Sequence, residues 1–137
     1  MKIDRGLYSL DVIDSTLFFN ITGAMDEDIL KSIFIDVNQL IQTHFTDPAV
    51  SWASVMDLSQ WGLYTPETEA DLIKFQYWAN KHGQKAEVCI TSGSPLKVTA
   101  RQKILSGHAL DMEHVFVDTM DEAMDWLNAH NYLTTKK

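Results

Sequence analysis

The residues of this chain that could do chemistry are few, and their spacing joins none of them into a reaction centre. Five histidines, His44, His82, His108, His114 and His130, show no metal-ligand spacing such as His-Glu-x-x-His. The single cysteine, Cys89, lies inside the apolar run AEVCITSG, where a buried and inert thiol is expected. Asp57 near the end of another run, SWASVMDL, could act as a base, but no partner or nucleophile is identified for it. There is no Gly-x-Ser-x-Gly elbow, Walker loop or dinucleotide fingerprint. The expectation is a protein that is not an enzyme and uses neither metal nor cofactor.

Binding chemistry is better represented. Lys97 and Arg101 are four apart and so share one face of a helix, close to the backbone N–H groups of Ser92-Gly93-Ser94 at its start. Together they could hold a phosphate or carboxylate head group; the alternative is a solvated basic face. The stretch LSQWGLYTPE raises a second possibility. Trp61, Leu63 and Tyr64 stand in what reads as a short connection between strand and helix, where polar turn residues are usual. They could plug one end of the core or form a binding surface, since each aromatic combines an apolar body with a polar tip. Gly62 permits positive φ and could hinge the connection over a pocket.

The elements that must position these residues follow from periodicity. LYSLDV and TLFFNIT, separated by a turn, read as a hairpin, and the acids Asp26, Glu27 and Asp28 open a long helix through Leu30, Ile33, Phe34, Val37, Leu40 and Ile41. SWASVMDL is a third strand. Thr65-Pro66-Glu67 starts a helix that stops at Gly83. On it Leu72, Phe75, Trp78 and Ala79 make one apolar stripe and Ala70, Ile73 and Tyr77 another, with Glu69, Gln76 and Asn80 between. One stripe covers the sheet; the second needs a neighbour, such as the first helix, a second copy, a lipid or a bound apolar molecule. AEVCITSG is a fourth strand, Ser94-Pro95 opens a shorter helix toward Gly107, and HVFV is a fifth strand. Thr119 and Glu122 form a capping box for the last helix. The order β-β-α-β-α-β-α-β-α predicts an α/β layer structure on a mixed, mostly parallel five-stranded sheet with about four helices.

At 137 residues the chain reads as a single domain over 1–137, able to bury roughly two-thirds of its unfolded surface without disulfides. Its composition, 45% hydrophobic and 22% charged, is that of a globular protein, and no apolar run approaches a membrane span. The N-terminus lacks an unbroken apolar signal region and the cysteine is alone, which together lead to a cytoplasmic expectation. A formal charge of -8 argues against nucleic acid as a partner, although Lys81 to Lys103 carries five basic residues against one acid, Glu87.

Several short motifs in this order carry a resemblance. The Ile-Thr-Gly ending of the second strand, the long helix, VMDLS and the final FVDTMDEAMDWL resemble the SpoIIAA-like and STAS families over nearly the whole chain, above all the small free-standing SpoIIAA-like proteins. The resemblance implies the same α/β fold. STAS anti-sigma-factor antagonists carry a phosphorylatable serine in an Asp-Ser-x-Gly segment; here Trp61 to Glu67 occupies that region without one, so Thr65 or Thr68 would have to be the acceptor. A threonine before a proline also reads simply as a helix cap. Other relatives, and the similar CRAL-TRIO domains, bind lipids or other hydrophobic ligands and associate with membranes. The expectation is therefore a non-catalytic protein that binds an apolar or amphipathic, lipid-like ligand. Its rim would be residues 61–65 with the second helix, including Ile73 and Tyr77, and it would include peripheral contact at the inner face of the membrane. The alternative is a STAS-type regulatory module acting on a protein partner or a second copy of itself.

Overall fold

The computed structural model describes residues 2–107 and 110–134, so His108 lies outside the described residues. The strands read from sequence are β2 (Tyr8–Ile13), β3 (Thr16–Ile21), β5 (Trp52–Asp57), β7 (Gln84–Ile90) and β8 (Glu113–Val117). They stand side by side in that order, antiparallel between β2 and β3 and parallel from β3 onward. A short edge strand, β1 (Lys2–Asp4), adds a sixth member antiparallel to β2. Three residues give too little alternation to be read as a strand in advance.

The expected helices all form. They are α1 (Glu27–His44), α2 (Glu69–Lys81), α3 (Pro95–Leu105) and α4 (Met120–Ala129). Asp26 caps α1 by accepting from the Ile29 N–H, Ser94 caps α3 by accepting from Lys97, and the Thr119–Glu122 capping box of α4 is complete. Thr65 does not cap. Its chain enters a single 3-10 turn, Pro66–Thr68, before α2 begins, and the Thr68 hydroxyl donates to the Thr65 carbonyl at 2.7 Å.

Two apolar layers flank the sheet. On one face Leu30, Ile33, Val37, Leu40 and Ile41 of α1, with Leu72 and Ala79 of α2 and Ile104 of α3, cover Leu10, Phe19 and Trp52. On the other, Ala123 and Leu127 of α4 cover Ala53, Val55, Ala86 and Val88. Central parallel strands buried on both faces carry near-continuous apolar runs, which is why β5 and β7 were legible. A register shift where Trp52 and Ala53 face Gln84 and Ala86 leaves Lys85 as an extra residue. The bulge brings Gln84 onto the same face as Glu87 and Cys89.

Residues 61–64 are not a free connection. They form a strand, β6 (Trp61–Tyr64), pairing in parallel with β4 (Gly23–Met25) as a separate two-stranded sheet. Gly62 is therefore not a positive-φ hinge. A Cβ there would lie 2.8 Å from the Ala24 amide nitrogen, so glycine serves the close approach of the two backbones. The left-handed residue is Leu63, at φ 71°.

Candidate ligand-binding site

Trp61 is drawn inward by this pairing. Its backbone N–H donates to the Leu58 carbonyl at 3.1 Å, the residue is 5% exposed, and its ring lies 6.1 Å from that of Tyr64. It helps to wall an interior cavity of about 60 Å³, whose apolar sides include Phe19, Met25, Met56 and Leu72. Leu63 and Tyr64 are half-buried and pack against the core beside it. Tyr64 donates its hydroxyl to Glu69 at 3.3 Å, and Lys103 pairs with the same carboxylate at 3.1 Å. Burial first, then the Glu69 charge, holds the Tyr64 hydroxyl above its ordinary pKa.

The polar end of the cavity is a buried cluster that sequence reasoning missed. Arg101 is 6% exposed and grips Glu87, 1% exposed, through Nε to Oε2 at 2.7 Å and Nη2 to Oε1 at 2.8 Å. Arg101 also donates to Gln76 Oε1. Gln76 in turn donates to Gln84 at 2.7 Å, and Gln84 to Ser54 at 2.6 Å. Burial opposes the Glu87 charge, but the attraction and hydrogen bonds of Arg101 outweigh it and hold the carboxyl below its ordinary pKa. Cys89 donates to Glu87 at 3.1 Å. Burial, then that carboxylate, pushes its thiol well up, so it stays protonated.

This corrects the anion-site expectation for Arg101. Although Lys97 and Arg101 are one helical turn apart, Arg101 is committed inward to Glu87, while the Lys97 ammonium donates to the Ser59 carbonyl at 2.8 Å. Lys97 does lie against the end of β5, as the rim reading required. The signal for the buried pair was present in the sequence: Glu87 is an acid inside AEVCI, a run otherwise fit for burial on both faces, and a buried carboxylate demands a cation.

The second stripe of α2 finds its neighbour in α3 rather than α1. A Cβ on Gly107, just beyond α3, would meet Ile73 Cγ2 at 2.5 Å, so Ile73 packs against that glycine. Tyr77, 37% exposed, carries the Lys81 ammonium 5.2 Å from its ring centre. It is Phe75 and Trp78 of the first stripe that meet α1, with ring centres 5.6 and 4.9 Å from Phe34. These three rings, with the 64%-exposed Ile35, line an open groove of about 540 Å³ between α1 and α2, rimmed by Glu27, Lys31, Asp71 and Lys74. Leu30 and Phe75 belong to the walls of both groove and cavity.

Other candidates take structural places. Asp57 accepts from the Ser59 hydroxyl at 2.7 Å and from Asn20 at 3.3 Å. Thr68 is fully buried, and Thr65 is half-buried with its hydroxyl turned to that of Thr68 at 3.5 Å. No group of histidine, cysteine and carboxylate side chains able to hold a metal occurs among the described residues, and none of their helices is long and apolar enough to cross a membrane.

No protein-family model and no curated protein matches the chain. Solved structures do. An uncharacterized protein of the DUF3478 family from Shewanella loihica PV-4, with a SpoIIAA-like fold, superimposes with TM-score 0.69 at 14% identity, covering 88% of this chain and 93% of that one. The unphosphorylated anti-sigma factor antagonist SpoIIAA matches with TM-score 0.60 at 13% identity over 88% and 97% of the two chains. The phosphorylated form of the Bacillus cell fate determinant SpoIIAA gives 0.53 at 17% over 88% and 98%. At these identities the likeness carries architecture alone, and it agrees with the mixed sheet and four helices described above: the chain has the SpoIIAA-like fold.

Proposed function

We propose that this protein is a non-catalytic, cytoplasmic binder of a mainly apolar, amphipathic molecule, held between α1 and α2 with its leading end in the interior cavity. The observation that carries the reading is the shared wall: Leu30 and Phe75 line both the 60 Å³ cavity and the 540 Å³ groove. The cavity alone is too small for a lipid-like ligand, because binding pockets typically measure roughly 300–1,000 Å³. The groove falls within that range and supplies aromatic walls. A ligand lying along Phe34 and Trp78 and displacing the Phe75 ring would join the two spaces. Binding rather than turnover is favoured because the ionisable and amide side chains of the cavity are engaged with one another, and the Cys89 thiol is held protonated. Switching by phosphorylation gains nothing from the geometry, since Thr68 is buried and Thr65 faces it.

Trp78 in the groove and Trp61 in the cavity are built-in reporters. Variants retaining only one of them, titrated with neutral monoacylglycerols of increasing chain length, should show a shift in Trp78 emission. Each methylene buried would add up to about 0.8 kcal/mol until the site is full. Silence of both tryptophans, with no adduct in native mass spectrometry, would refute the reading.

A further inference from the structure

The ligand class can be narrowed, on the reading just given, by one side chain. Trp61 Nε1 is buried without a hydrogen-bond partner among the described residues, on a residue that lines the cavity. Buried polar atoms are nearly always paired, and an indole N–H is a donor only. The other such atom, Asn128 Oδ1, belongs to α4 on the opposite face of the sheet. The remaining polar side chains of the cavity are spent on one another: Arg101 on Glu87 and Gln76, Gln76 on Gln84, Gln84 on Ser54. Trp61 is thus the donor left over.

Its backbone is held with unusual firmness. β6 lies so close to β4 that position 62 admits no side chain, and Leu63 is kept at φ 71°, a conformation that leucine adopts only under constraint. We propose that Trp61 selects the ligand, its indole N–H donating to an uncharged oxygen acceptor, so that the site takes neutral carbonyl-bearing amphiphiles such as ketones, esters or amides. An alkane would leave the donor unpaired. A carboxylate would bring a second negative charge into the cavity that Glu87 also lines, where the Arg101 cation is already engaged.

The test compares 2-octanone, n-octane and octanoate against the wild type and Trp61→Phe, which keeps an apolar ring and removes the donor. Because water solvates the ketone better than the alkane, the donor is read from a cycle: the ketone-to-alkane affinity ratio should be roughly two- to tenfold higher in the wild type than in Trp61→Phe, the range expected of one neutral hydrogen bond. Octanoate should bind more weakly than the ketone. The Trp61 indole N–H resonance should move downfield with the ketone and not with the alkane, a measurement that needs no variant. A ketone-to-alkane ratio unchanged by Trp61→Phe, with no shift of the indole resonance, would overturn the role of Trp61 and leave the binding reading standing. Failure of all three to bind or to move any tryptophan signal would overturn both.

Discussion

A buried ion pair is weak evidence for stability but strong evidence of dependence, because removing one partner strands the other. Arg101 and Glu87 are 6% and 1% exposed and share two hydrogen bonds. Arg101→Met should therefore destabilise the protein by about 3–5 kcal/mol in urea unfolding, whereas replacing both partners with apolar residues of similar volume should restore most of that loss. A double variant as unstable as the single one would mean that the pair supports the cavity rather than merely neutralising itself. The pH dependence follows in sign. The folded-state pKa of Glu87 lies below its ordinary 4.5, so the pair's contribution is fully present above that value. It is lost as pH falls through the depressed folded value. In Arg101→Met the sign should reverse: burial alone raises the carboxyl above its ordinary pKa, so the variant should regain stability as pH falls and Glu87 takes up a proton.

Strands and helices show where sequence pattern suffices. β5 and β7 announce themselves as apolar runs, and α1 and α4 through spacing and caps, because those signals are local. β4 and β6 were missed because each is short and held by its partner, and WGLY has no two-residue alternation. Spacing alone puts Gln76 between the two stripes of α2 and Arg101 beside Lys97 on one face of α3, and misses their buried contacts for a related reason: helical spacing gives the face a residue occupies, not what stands opposite it. Here the opposite element is β7, turned by its bulge so that Gln84 and Glu87 meet them. The candidate site was half legible. Trp61 was picked out by its type, but its cavity depends on a β4–β6 contact 38 residues apart in register. That contact is testable. Gly62→Ala would place a methyl 2.8 Å from backbone that cannot swing aside, which should cost about 1–3 kcal/mol and shift the Trp61 emission to the red as β6 lifts. An unchanged unfolding midpoint would show that the strands do not approach so closely.

Taken as a whole, the molecule separates what folds it from what it offers to a ligand. The core on both sides of the sheet is continuous, yet Phe34 and Ile35 remain 38% and 64% exposed on the outer face of α1. Neither extends the buried stripe of that helix, so folding does not require them there. Ile35→Glu should accordingly leave the melting temperature of the free protein almost unchanged, as surface substitutions usually fall within about 0.5 kcal/mol. The ligand-bound protein should behave differently. A neutral amphiphile at a hundred times its dissociation constant stabilises the wild type by about 2.7 kcal/mol through mass action. For a chain near this size that is a rise of roughly 5–11 °C in melting temperature. A carboxylate placed in the groove must be desolvated by the same ligand, so at equal ligand concentration the rise in Ile35→Glu should fall to less than half. Thermal scans of both proteins with and without a monoacylglycerol decide the matter. A variant that melts normally and keeps the full ligand-induced rise would remove the α1–α2 groove from the site and overturn the proposed binding mode, because the cavity beneath Trp61 is too small to hold such a ligand by itself.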